Sequence, residues 1–281
     1  MGDSAAHPGG SVLAIDTPFL SVVVPAYNEA ERIPASLRRI AAHFARASFP
    51  VELIVVNDGS RDATCAVARA AAPELGIPLR LLSYAPNRGK GFALKVGFAA
   101  SRGDRVLFSD ADLSTPIEEA DHLLAELDAG FDVAIGTRKH ARASIEVHQP
   151  WLRETLGRGF TWLVRTLIAE VTDATCGFKA YRGGAGRDLY ARMRIFDWSF
   201  DAEMLRVALL LGYRTIEVPV HWSDRAGTKV DLRRDVARSL LGIARIRWNT
   251  ARGRYAAPFA LDVDAESWPA AVGPSSAAAG P

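Results

Sequence analysis

Five short apolar runs recur along the chain, and each one ends on polar residues. Leu20–Val24, Leu53–Val56, Leu79–Ser83, Arg105–Phe108 and Val133–Ile135 are rich in Val, Ile or Leu and bounded by Pro, Gly, Asn or Asp. Runs of this length and composition read as buried strands. The stretches between them read as helices. Ala30–Arg46 carries Ile33, Leu37, Ile40 and Phe44 near helical spacing. Ala63–Ala72 is Ala-rich behind Ser60, a good N-cap. Thr115-Pro116-Ile117-Glu118 has the form of a capping box with proline at the first helical position, opening a helix to Asp128. Alternation of this kind predicts an α/β fold with a mainly parallel sheet covered on both faces.

Such a sheet binds ligands beyond the carboxyl ends of its strands, and here every one of those ends is polar. They carry in turn Pro25-Ala26-Tyr27-Asn28-Glu29, Asn57-Asp58-Gly59-Ser60, Asn87-Arg88-Gly89-Lys90-Gly91, Ser109-Asp110-Ala111-Asp112 and Gly136-Thr137-Arg138. One polar end is an ordinary loop; five in register describe the wall of a pocket rich in carboxylates and cations. Asp110-Ala111-Asp112 is the sharpest of them. Two carboxylates leaving a buried strand can converge on a hard cation such as Mg²⁺, which takes one or two carboxylates plus substrate phosphates. The bland alternative is that Asp112 helps start the helix at Thr115. Asp58-Gly59-Ser60 alone reads equally as a strand-to-helix turn. Arg88-Gly89-Lys90-Gly91 reads either as a solvated turn or as backbone open to a phosphate that Arg88 and Lys90 neutralise. It is neither a dinucleotide fingerprint nor a phosphate-loop motif.

Bulk properties set limits. Of 281 residues, 49% are hydrophobic and 23% charged, enough for one large core, and the formal net charge of +2 argues against a global grip on nucleic acid. Cys65 and Cys176, with no CxxC, read as reduced and intracellular thiols. The longest apolar stretches, such as Val207–Leu211, fall far short of the ~18 residues of a membrane span. The expected location is cytoplasmic or peripheral on the cytoplasmic face of a membrane.

Taken together, the segments VVPAYNEAERI (23–33), VVNDGSRDAT (55–64), NRGKGFALKVG (87–97), DADLSTP (110–116), GTR (136–138), DATCGFKAY (173–181), FDWSFDAEML (196–205) and VHWSDRAGTKV (220–230) resemble glycosyltransferase family 2. The resemblance covers about residues 19–230 and implies a GT-A fold, a Rossmann-like α/β/α sandwich. Within the family, DADLSTP and D-x-x-CGFK are most similar to the branch of dolichyl-phosphate β-glucosyltransferases and bacterial polyprenyl-phosphate sugar transferases. The Q-x-x-R-W motif of processive synthases is absent, which argues against repeated extension.

The resemblance implies that Pro25, Tyr27, Glu29 and Asp58 hold the base and ribose of a nucleotide-sugar donor, with Lys90 near it. It implies that Asp110, Ala111 and Asp112 form the donor diphosphate site, the two aspartates holding Mg²⁺ or Mn²⁺. It puts Arg138, Arg153 and Lys179 around an acceptor phosphate or the donor diphosphate, and Asp173 close to the reacting centre. The implied reaction is an inverting, in-line transfer of a hexose, glucose from UDP-glucose before mannose from GDP-mannose, to a polyprenyl or dolichyl phosphate. A phosphate monoester, with a second pKa of about 6, is already a nucleophile at neutral pH. A hydroxyl acceptor would need a general base, for which Asp173 and Asp201 are the candidates. The bland readings are a turn residue for Asp173 and a helix N-terminal carboxylate for Asp201. Rival functions are a soluble family member acting on a hydroxyl of a small molecule, peptide or glycan, and a non-catalytic nucleotide-sugar binder. Cys176 reads as a small buried residue beside the site, and His140, His148 and His221 as surface or packing residues.

The expected organisation is a disordered N-terminus (1–17), a catalytic domain (18–230), a basic amphipathic helix (231–255) and a disordered tail (256–281). In the helix, Arg234, Arg238, Arg245, Asn249 and Arg252 share one face, while Leu232, Val236, Leu240 and Ile243 line another, with Leu241 and Trp248 beside it. Such a helix either lies on an anionic membrane surface or packs on the catalytic domain with a solvated basic face.

Overall fold

The protein is described by a computed structural model, which covers residues 17–138, 159, 162–168, 171–223, 232–261 and 266–268. Four parallel strands form its centre: β1 (Leu20–Ala26), β2 (Val51–Asp58), β3 (Leu79–Tyr84) and β4 (Arg105–Ser109). They are followed in the chain by β5 (Val133–Thr137), β6 (Phe178–Arg182), β7 (Thr215–Pro219) and β8 (Glu266–Trp268). Among the described residues the sheet has the order β7-β5-β6-β4-β1-β2-β3-β8. β6 runs antiparallel between β4 and β5, and β8 runs antiparallel along the edge of β3. The five expected strands are all present, each a residue or more longer at its carboxyl end. Three further strands were not expected from the sequence.

Successive side chains of β1 point to opposite faces, as the pleat requires. Val23 joins one core cluster; Leu20, Val22 and Val24 join the other. The second cluster is closed by α1 (Ile33–Phe44), α2 (Thr64–Ala71) and α4 (Ala120–Asp128), through Leu37, Ile40, Ala68 and Leu123. The first is closed by α3 (Lys90–Ala100), α5 (Gly183–Arg192), α6 (Phe200–Leu210) and α7 (Leu232–Ala251), through Phe98, Tyr190, Met204 and Ile246. Burial on both faces explains why the parallel strands read as continuous apolar runs.

Several expectations are corrected. Ser60 does not cap α2, which begins at Thr64 with no side-chain cap; its hydroxyl accepts from the Asn28 amide at 2.9 Å. The capping box at 115–118 is not made either. Pro116 is extended (ψ 141°), and a 3₁₀ turn at Ile117–Glu119 leads into α4. Asp112 accepts from the Ser114 amide at 2.9 Å, and this turn directs the chain away from helical geometry. The helix after residue 231 fits the second of its two readings, packing on the catalytic domain, for Ile243, Ile246 and Asn249 are buried against the body. Asn249, expected on the basic face, is turned inward by hydrogen bonding to Tyr255. The segment after 256, expected as a tail, contributes β8, because the open edge of β3 offers unpaired backbone groups to it.

Candidate active site

The loops after β1 and β2 are laced together by backbone donors that meet side-chain acceptors. Glu29 N donates to Thr64 Oγ1 (2.8 Å), Ala30 N to Asp62 Oδ2 (3.1 Å) and Arg61 N to Asn28 Oδ1 (2.9 Å). Asn28 is held at φ 56°, a left-handed conformation that asparagine tolerates better than most residues. Along this wall Pro25 is buried within β1 and Tyr27 is exposed. Asp58 is buried, and its carboxylate accepts from Tyr84 Oη (2.8 Å), Asn87 Nδ2 (2.8 Å) and the amides of Arg88 (2.7 Å) and Gly89 (2.9 Å). Asp58 therefore orders the Asn87–Gly91 loop, and its oxygens are taken up in doing so.

That loop delivers Lys90 to the end of β4, where its ammonium lies 2.5 Å from Asp110 Oδ1. Burial would lower the Lys90 pKa, but Asp110, Asp201 and Asp112 outweigh it and hold the ammonium charged. The antiparallel β6 brings Gly177 to the same point, its carbonyl accepting from the Asp110 amide at 3.2 Å. A Cβ at Gly177 would overlap the Asp110 carboxylate. Ala111 is buried, and its carbonyl accepts from Ser36 at 2.6 Å. Leu113 is held at φ 49°; left-handed backbone at a non-glycine residue is strained and concentrates at functional sites. Glu29 pairs with Arg32 at 2.7 Å. Burial raises its pKa, and Asp112 and Asp110 add to that, so three carboxylates share one field.

Two further ion pairs stand beside this group. Arg138 grips Asp173 through Nε (2.7 Å) and Nη2 (2.8 Å), and its backbone amide donates to the same carboxylate at 3.1 Å. Asp173 is fully buried. Its carboxylate fixes the orientation of the guanidinium. Lys179 is also fully buried and lies 2.5 Å from Asp201, donating in addition to the Cys176 carbonyl. It stands near the start of β6, with its ammonium occupied by Asp201 and the Cys176 carbonyl. Burial raises the Asp201 pKa against the opposing pull of Lys179 and Lys90. Burial likewise pushes the Cys176 thiol up to about 11, a poor nucleophile. His221 pairs with Glu119 at 2.6 Å. Arg153, His140 and His148 lie outside the described residues.

The donor set suits a hard divalent ion. It is all oxygen, and Asp110 and Asp112 leave the same strand end. Among the described residues no three acidic, histidine or cysteine side chains form a complete cage. An ion here would complete its shell with phosphate oxygens and water, as Mg²⁺ and Mn²⁺ do. A cavity of about 340 Å³ lies at the amino ends of the strands. There the carboxylate of Glu52 is already matched by Arg80 and Arg102.

The model of glycosyl transferase family 2 matches residues 21–189. The chain belongs to this family. The glycosyltransferase is 36% identical over 226 residues to the dolichyl-phosphate beta-glucosyltransferase of Drosophila melanogaster, covering 75% of this chain and 69% of that one. It is 31% identical over 227 residues to the human enzyme of that name, covering 76% and 70%. Glucosyl-3-phosphoglycerate synthase from Mycobacterium tuberculosis, crystallised with Mn²⁺, UDP-glucose and glycerol 3-phosphate, superposes with a TM-score of 0.60 at 22% identity. It covers 90% of this chain and 87% of that one. The fold is thus the GT-A type expected from the motifs. No described helix of the glycosyltransferase is long and apolar enough to cross a membrane. Sequence reasoning missed Tyr84, Asn87 and Gly177 as supports of the site. Asn87 and Gly177 stand inside quoted motifs, but nothing in their spacing told support from contact.

Proposed function

We propose that the glycosyltransferase moves glucose from UDP-glucose to the phosphate of a polyprenyl or dolichyl phosphate at a membrane surface, inverting the anomeric centre. The observation that carries this reading is the Lys90–Asp110 pair at the end of β4, in a chain similar along most of its length to dolichyl-phosphate beta-glucosyltransferases. Asp110 and Asp112 would hold Mg²⁺ or Mn²⁺, which neutralises charge on a departing diphosphate. Lys90, kept protonated by its carboxylate neighbours, adds a second positive charge there. Pro25, Tyr27 and Glu29 line the wall assigned to the nucleoside, with Asp58 holding the loop beneath it.

The state of the two candidate bases favours a phosphate acceptor. Asp173 and Asp201 are each paired with a cation, so neither is ready to take a proton from a hydroxyl. A dianionic phosphate needs no base; it needs positioning, and Arg138, locked in orientation by Asp173, supplies a planar donor for it. The test is transfer of labelled glucose from UDP-glucose into lipid-extractable, mild-acid-labile product, screened against GDP-mannose and hydroxyl acceptors. Asp110→Ala should lower kcat/KM by roughly a hundredfold or more. Label appearing only in water-soluble glycoside would refute the lipid acceptor.

A further inference from the structure

The outer face of α7 carries a surface for which the transfer chemistry has no use. Its inner face is filled by Ile243, Ile246 and Asn249. On the outer face Leu240, Leu241 and Trp248 are 50%, 59% and 54% exposed. Leu241, Arg245, Trp248 and Arg252 follow one another at spacings of three and four, forming a single stripe. The Arg252 guanidinium lies 4.3 Å over the Trp248 ring. Arginines are the only charged residues between 240 and 261. Large apolar side chains interleaved with arginines match the headgroup region of a bilayer, where rings and alkyl groups enter and guanidinium groups stay with phosphates.

The same helix packs beside the catalytic mouth. Gly242 is in such close contact with Ser199 that a Cβ there would overlap it. The neighbouring Trp198 is 50% exposed, and Arg245 reaches within 3.9 Å of Asp197. One residue earlier, the Phe196 carbonyl accepts from the Gly91 amide at 3.1 Å, next to Lys90 and its bond to Asp110.

We propose that the outer face of α7, with the exposed Trp198 of the neighbouring segment, docks on an anionic phospholipid bilayer and presents the catalytic mouth to phosphate groups in that surface. The second half of this statement rests on the polyprenyl-phosphate reading; the docking itself does not. Leu241 and Trp248 enter the boundary between headgroups and acyl chains, while Arg245 and Arg252 meet lipid phosphates. The electrostatic share makes the attachment sensitive to salt.

The test uses the full chain and co-sedimentation with vesicles of phosphatidylcholine alone or mixed with phosphatidylglycerol. Binding to the mixed vesicles should exceed binding to phosphatidylcholine by about tenfold or more at low salt and fall at high salt. The Leu241→Ser/Trp248→Ser variant and, independently, Arg252→Glu should each bind the mixed vesicles severalfold more weakly, with unchanged thermal midpoints. Wild-type protein that stays in the supernatant, or variants that pellet like wild type, would overturn the proposal. So would a wild-type dimer in sedimentation velocity that the double variant dissolves without any loss of vesicle binding, since a second copy would then own the face. Turnover separates this idea from the proposed reaction. The double variant should retain transfer to a short, water-soluble isoprenyl phosphate and lose it to a long-chain acceptor in vesicles. Docking without transfer to either acceptor would overturn the acceptor reading alone; transfer without docking would overturn docking alone.

Discussion

At Asp110 one carboxylate oxygen bonds the Lys90 ammonium and the other faces the bare backbone of Gly177. The position of this acid is thus set by a cation on one side and by a missing side chain on the other. Gly177→Ala puts a methyl group where the carboxylate stands, and the small shift that results falls on the donor site. A misplacement of this size costs about a hundredfold where catalysis depends on orientation. We expect kcat/KM for Gly177→Ala to fall by about ten- to a hundredfold while urea denaturation shows the fold intact. A variant as active as wild type would show that Asp110 has room to spare. Asp110, Asp112, Lys90 and Glu29 were legible in the sequence because each stands just beyond a strand end. Lys179 and Asp173 were legible as important, but their ion pairs with Asp201 and Arg138 were not. A motif gives residue types in order, whereas exposure to a ligand depends on which way the strand turns each side chain.

Among the elements, the segment 193–199 between α5 and α6 matters most for the site, since Phe196 braces the Lys90 loop. It is held by Glu203, which accepts from the amides of Arg194 (2.9 Å) and Ile195 (2.8 Å) and from Tyr255 Oη (2.7 Å). Burial pushes the Glu203 pKa up to about 7, with the Tyr255 and backbone hydrogen bonds pulling the other way. An acid whose folded pKa lies above its unfolded value of 4.5 is more protonated in the folded state. Its contribution to stability is therefore greatest below pH 4.5 and declines as pH rises to about 7. The swing is on the order of 3 kcal/mol for a fully buried group. Glu203→Gln removes this titration, so its thermal midpoint should decline less than that of wild type between pH 5 and pH 7, measured side by side by calorimetry. Parallel curves would mean that Glu203 does not titrate in this window. Glu203 stands inside the segment FDWSFDAEML, but nothing there marked it as a brace: it lies one turn inside an apolar helix, and its partners come from chain segments about ten and fifty residues away.

For the whole molecule, the sheet gathers the acidic and basic loops at one end and leaves the core independent of any ion. Chelation should therefore abolish turnover without moving the thermal midpoint, and Mn²⁺ or Mg²⁺ should restore activity. UDP-glucose should raise the midpoint only when the divalent ion is present, because the diphosphate and the two aspartates share it. Stabilisation by UDP-glucose in the presence of chelator would show that Lys90 and its neighbours bind the donor without a metal. The global fold was largely legible. The five parallel strands and the helices between them have local patterns strong enough to read. The antiparallel β6, the half-exposed β7 and the three-residue β8 do not, for FKAYR, TIEVP and ESW are not continuous apolar runs.

Sequence alone determined the alternation of buried strands and amphipathic helices, the polar character of every strand end, and the family motifs. These features are carried by neighbouring residues, and local hydrophobic periodicity records them directly. Tertiary structure decided which charges remain available. It buried Lys179 with Asp201, spent Asp173 on Arg138, used Asp58 as a loop anchor, and left Asp110 and Lys90 facing each other beside Gly177. Those outcomes depend on strand order and on which side chain each neighbouring element covers, and both are set by contacts between residues far apart in the chain.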